Sequence, residues 1–235
     1  TLKDSAGNTV TVDQTKSIIL TAGGVGDAAN DQNQFFTADF AGDDTISIDR
    51  GGGAGVSTCV WQVIEFSSGV SVQRGLAVVG ATTKLKSITI SGITIAKSVP
   101  VILTRGGFNS QTVTDQIMFN PTFTDSTHLQ LDRSDANSGK VVSVVWQVMQ
   151  FNTDATVQTG VVNLDGDVTA SPQSGTATVS AVQTPVLFTY YNGQTNTDID
   201  LNGQDSKIYS TCSYSGTSRQ HGGRALGRRD EGQAL

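Results

Sequence analysis

The 235-residue chain is poor in the side chains from which most active sites are built: two cysteines, two histidines, 15% charged residues and 6% aromatics. Each scarcity removes a class of function. His128 and His221 stand far apart, each without a second histidine nearby, and Cys59 and Cys212 lie in distant regions. A zinc site is therefore not expected. Ser-His-Asp catalysis would have to recruit His128 or His221, and neither is near a nucleophile signature. No apolar run approaches the roughly 20 residues that a membrane-spanning helix requires, so membrane insertion is not expected. The two cysteines allow at most one intramolecular disulfide and leave the redox compartment open. Cys59 falls where the second copy of a repeat has Val144, which predicts a small buried apolar residue. No catalytic, cofactor-binding or metal-ligating residue is predicted, no cofactor is expected, and the chain reads as non-enzymatic.

What is present is apolar and small polar. Hydrophobic residues reach 37%, enough to argue against disorder driven by charge, and 26 glycines punctuate many turns. The net charge of −6 is unevenly spread. From Arg219 onward four arginines face Asp230 and Glu231, a net +2 that leaves −8 on residues 1–218. Such a body should be repelled by nucleic acid and by anionic membrane surfaces. The tail 219–235, without strands or aromatics, reads as a flexible appendage, with an anchoring peptide as the functional alternative. The opening Thr1, in place of Met, reads as a processed, trimmed or mature-numbered start.

The strongest feature is a repeat. VWQVIEFSSGVSVQRG (60–75) returns as VWQVMQFNTDATVQTG (145–160), and from Trp61 and Trp146 onward seven of fifteen positions are identical at a spacing of 85. FFTADFAGDDTISIDR (35–50) matches MFNPTFTDSTHLQLDR (118–133) at a spacing of 83. KSIILT (16–21) corresponds to KSVPVILT (97–104), and TPVLFT (184–189) opens a third copy. A catalytic motif is needed once; a segment written twice with its apolar positions kept is architecture. The predicted organisation is a β-sandwich repeat over 1–80, a second over 81–166, a partial third over 167–218, and the tail over 219–235.

Within each copy the periodicity is that of strands. Thr45–Asp49, Thr127–Leu131, Ser87–Ser91 and Thr176–Ser180 alternate apolar and polar residues, as in a sheet with one wet face. Val141–Phe151 is continuously apolar, the mark of a central strand covered on both faces. Ser67–Gly69 and Asn152–Asp154 read as hairpin turns into Val70–Arg74 and Ala155–Thr159, and Asn8–Val12 as a short leading strand. Pro100 and Pro185 stand near strand starts, where a missing N–H is tolerated. No window carries a sustained helical stripe. The fold class is all-β, built of tandem antiparallel β-sandwiches. Trp61 and Trp146 are expected to be core residues of equivalent strands; a sugar-stacking platform and a subunit contact are the alternatives.

Several short motifs carry chemistry on paper. Asp198, Asp200, Asn202 and Gly203 match the first half of a calcium loop, but Tyr209 stands where its bidentate Glu belongs. Asp115 and Asp31 occupy the matching repeat position, which favours a solvated turn. Asp43 and Asp44 sit at a turn, where Asp bonds its own backbone. GGGAG (51–55) lacks the Lys and the helix of a phosphate loop.

The succession VPVILT, MFNPTFTDSTHLQLDR, VVSVVWQVMQF resembles the H-type lectin domain and the related trimeric collar domains of phage tail proteins, over residues 97–151 and, more weakly, 16–66. The carrying signature is Val144-Val145-Trp146 on the last strand. The resemblance implies a small antiparallel sandwich, trimers and, in lectin members, sugar binding near subunit boundaries; no sugar-binding residue transfers. The Trp-Gln-Val repeats are also similar to tandem-repeat surface proteins of bacteria and their phages. The expected function is a structural or assembly protein of an extracellular surface, filament or virion that associates with itself. The alternative is a lectin-like adhesin that binds glycan.

Overall fold

The computed structural model describes residues 1–4, 6–23, 35–51, 56–106, 117–133, 141–152 and 155–160. Among these, all regular structure beyond two short 3-10 turns is β-strand: β1 Ser17–Gly23, β2 Phe36–Gly42, β3 Thr45–Arg50, β4 Cys59–Glu65, β5 Val70–Val79, β6 Leu85–Thr89, β7 Ser98–Gly106, β8 Asn120–Asp125, β9 His128–Asp132 and β10 Val142–Phe151. Every ladder is antiparallel. The all-β reading holds. No helix among the described residues is long and apolar enough to cross a membrane.

The sequence repeat is a repeat of hydrogen bonding. The 3-10 turns Gln14–Lys16 and Ile95–Lys97 each lead into a strand that pairs with a Trp-bearing strand. Ser17 lies opposite Glu65, and Ser98 opposite Gln150. Glu65 Oε1 accepts the Asp13 N–H at 2.9 Å, and Gln150 Oε1 accepts the Thr94 N–H at 2.8 Å. The two hairpins match as well: Phe40 faces Ile46, Phe123 faces Leu129, and each register slips just after the phenylalanine. Conserved apolar spacing has thus fixed conserved pairing, because slipping one residue would turn each apolar face outward.

Only the second copy is a complete sandwich among the described residues. Its first sheet has the order β5-β10-β7 and its second β6-β9-β8. Between them lies a core of Ala77 and Val79 from β5, Leu129 and Leu131 from β9, and Val142, Val144, Trp146 and Val148 from β10. Residues 70–79, which the sequence ties to the first repeat, therefore belong to the sheet of the second. The expected hairpin between β4 and β5 does not form; the chain leaves β4 after Glu65, turns at Gly69, whose φ of 74° suits glycine, and crosses to β10. The other expected hairpin partner, Ala155–Thr159, is not in a strand. Nor is Asn8–Val12, where an isolated Lys3–Thr9 bridge closes a turn held by the Asp4 carboxylate.

The first copy consists of β1 paired with β4 and β2 paired with β3. Ile19, Ala38, Phe40, Ile46, Ile48 and Val63 form its core, which is continuous with Leu103 and Val145 of the second copy. β10 is thus covered on both faces, as its unbroken apolar sequence predicts.

A candidate assembly surface

The join between the two copies is built around the buried edge of β1. β1 pairs with β4 along one edge, so its other edge carries unpaired peptide groups pointing at β10. Gln147, fully buried on β10, supplies the partners: its Nε2 donates to Ile19 O at 2.8 Å and its Oε1 accepts the Ile19 N–H at 2.8 Å. Arg74, opposite Gln147 on β5, donates to the carbonyls of Ser17 (2.5 Å) and Gln14. Its guanidinium stacks 4.5 Å from the Phe40 ring centroid, and its burial pulls the pKa below the usual value, with Asp39 opposing the shift. A strand edge that would otherwise recruit another chain is closed by one amide and one guanidinium. Pro100 holds the register position of Ile19 in the second copy, on the side of β7 facing away from β10, so its missing N–H costs no ladder bond.

The two tryptophans part company here. Trp146 is 9% exposed and Trp61 is 42% exposed. The expectation of two core tryptophans holds for Trp146 and fails for Trp61. The cause is the neighbour on the far side of each strand. Trp146 lies directly opposite Gly75 of β5, and a Cβ built on Gly75 would stand 2.7 Å from Trp146 Cζ2. The indole rests on bare backbone that no other residue would permit. β4 has no described strand in the place of β5, so Trp61 lacks that cover, and Val60 and Ile64 are also exposed, at 59% and 38%. In the second copy the counterparts of Val60 and Ile64 are Val145 and Met149, both buried against the first. A glycine recurring fourteen residues after each tryptophan was the sequence signal for this close approach.

The remaining candidates are peripheral. His128 opens β9, half exposed, and its Nδ1–H donates to the Asp125 carboxylate at 2.9 Å. Hydrogen bonds from the Thr127 hydroxyl and from His128 bring Asp125 down to about 2. Thr15 and Lys16 hold Asp13 at about 2 in the same way. Each is a local turn lock. Asp43 and Asp44 occupy the β2–β3 turn, where their carbonyls accept the N–H groups of Val12 (2.7 Å) and Leu2 (2.5 Å). Cys59 is half-buried at the start of β4, not in a core, and burial raises its thiol pKa. Among the described residues no three His, Cys, Asp or Glu side chains converge as metal ligands. The Asp198 loop, Cys212, His221, most of GGGAG, the third repeat and the tail lie outside the described residues.

No family model matches this chain, and no curated protein or solved structure is similar to it, so what stands in place of a relative is the likeness of one half of the molecule to the other.

Proposed function

We propose that the chain is a structural protein that builds an assembly through subunit contacts at the open side of its first β-sandwich, at an extracellular surface or in a filament or virion. One observation carries the reading: the β4 edge, with Trp61, Val60 and Ile64 exposed, repeats the β10 edge and face that are buried inside the same chain. An apolar strand with a free edge is a template for another strand. Heterologous contacts of that kind propagate in one direction and yield rings or filaments. The acidic body and the Ser/Thr-rich strands are in keeping with a solvated repeat array. Electron microscopy of the purified chain over a range of concentrations tests this; regular particles or filaments are expected, and dispersed single chains at every concentration would overturn it.

The exposure of Trp61 also supports a lectin-like reading, since an open indole is a stacking platform for a sugar ring. A glycan array separates the two: binding abolished by Trp61→Ala in a chain that stays monomeric would favour the lectin.

A further inference from the structure

The two halves of the molecule differ by what is missing from one of them. In the second copy the sheet β10-β7 is completed by β5, a strand that reaches it from the preceding copy after residues 66–69. In the first copy the corresponding sheet β4-β1 ends at β4 among the described residues. The second copy in turn sends out its own equivalent of β5. Residues 155–160, AlaThrValGlnThrGly, correspond to Val70–Gly75 at the repeat spacing of 85, and they follow β10 as β5 follows β4. They lie in no ladder; Val157 N–H donates to Ala96 O at 2.8 Å near the base of the second copy. One end of the described chain therefore has an acceptor edge without its strand. The other sends out that strand's equivalent, which joins no ladder among the described residues.

We propose that residues 155–160 of one copy add antiparallel to the open edge of β4 in a second copy, with Gly160 lying opposite Trp61. This rests on the assembly reading above and specifies its contact. The register follows from the internal ladder. There Val70 faces Phe151 and Gly75 faces Trp146, so Ala155 faces Phe66, Val157 faces Ile64 and Gly160 faces Trp61.

The chemistry of the pair supports the register at its most restrictive point. Trp146 tolerates only a glycine opposite, because a Cβ there would come within 3 Å of two indole atoms. The outgoing segment carries a glycine at that one position, though no close contact there calls for it: a Cβ on Gly160 would meet no atom within 4 Å. Val157 takes the place of Val72, which is buried against the outer face of the sheet. Main-chain bonds supply affinity in such strand addition, and the alternating side chains set the register. The occupant is a second copy of this chain, because the chain itself carries the complementary strand. Repeated copy to copy, the contact is head-to-tail.

Gly160→Val is the test, since it inserts a branched side chain opposite Trp61 while touching nothing in the isolated chain. Light scattering of the full chain gives the concentration of half-assembly. Acrylamide quenching reports Trp61, because the buried Trp146 contributes little to it. The wild-type chain is expected to assemble with Trp61 protected from quencher. Gly160→Val should raise the half-assembly concentration at least tenfold and restore quenching, with its unfolding midpoint unchanged. Undiminished assembly of Gly160→Val, or assemblies in which Trp61 stays fully quenchable, would overturn strand addition and leave the assembly reading standing. A wild-type chain that remains monomeric at every concentration would overturn both.

Discussion

The two copies share a strand order, a register and a tryptophan, yet one tryptophan is core and the other is surface. The difference does not lie in the strand that bears the ring. Both strands carry Val-Trp-Gln-Val, and both pair on one side with the strand that follows a 3-10 turn. It lies in the strand supplied by the neighbouring copy. Whether a residue in a repeat protein is buried is thus decided by its neighbour as much as by its own repeat.

Substitutions at matched positions can break this comparison. The largest effect is expected at the tryptophans. Trp146→Ala should destabilise the chain by about 3–5 kcal/mol, as for a large aromatic removed from a packed core. Trp61→Ala should cost no more than about 1 kcal/mol, because so much of its surface already faces water. Denaturant unfolding of the two variants measures both, and equal losses would erase the distinction between the copies.

The glutamines come next. Gln147→Leu keeps the volume but leaves the Ile19 N–H and carbonyl buried without partners, a loss of about 2–4 kcal/mol for two such groups. Gln62, at the same repeat position, is exposed on β4, and Gln62→Leu should change stability by less than about 0.5 kcal/mol. A Gln147→Leu chain as stable as wild type would show that the β1 edge does not depend on this amide.

The glycines give a smaller contrast. Gly75→Ala forces the Trp146 ring to move and should cost about 1–3 kcal/mol. Gly160→Ala should be neutral to folding within about 0.5 kcal/mol. Thermal unfolding of dilute protein separates the pair.

Acid should give the smallest effect, and it should touch both copies. Asp13 and Asp125 titrate near 2 when folded, below the ordinary 3.8 of an aspartate. The stability they contribute is complete above about pH 4 and is lost as pH falls toward 2. Asp13→Asn and Asp125→Asn should each flatten the stability profile between those limits, because the variant already lacks that contribution at neutral pH and is slightly less stable there. A profile as steep as wild type in either variant would deny that turn its role.

Much of this was legible in the sequence. The alternation of Thr45–Asp49 and the continuity of Val141–Phe151 follow from one and two buried faces, and the spacings of 83 and 85 pointed to equivalent strands. The partner of β5 was not legible. Ser67-Ser68-Gly69 serves equally well to fold a strand back or to send it across, since a turn fixes the local direction of the chain and not the identity of the edge it meets. Periodicity shows that a unit recurs without showing where along the cycle it begins. For that reason Trp61 read as core, and the boundary fell after Gly80 although the sheet of the second copy starts at Val70. Gln147 was equally hidden, because its polar side chain breaks the apolar stripe of β10 for a backbone partner 128 residues away.

The long ladder between β5 and β10 also bears on how the chain acquires its structure. Its pair nearest in sequence joins Val79 to Val142, so β5 has no ladder partner until synthesis reaches β10, the last described strand of the second copy. Closing so large a loop is slow, because its entropy is lost before the contact repays it. During that interval β5 waits without its partner, and the first copy still lacks Val145 of its core and Gln147 at the β1 edge. Once β10 arrives it seals the core of one copy and packs against the other in a single step. Melting should then proceed as one event spanning both copies, with no plateau in which one is folded and the other is not.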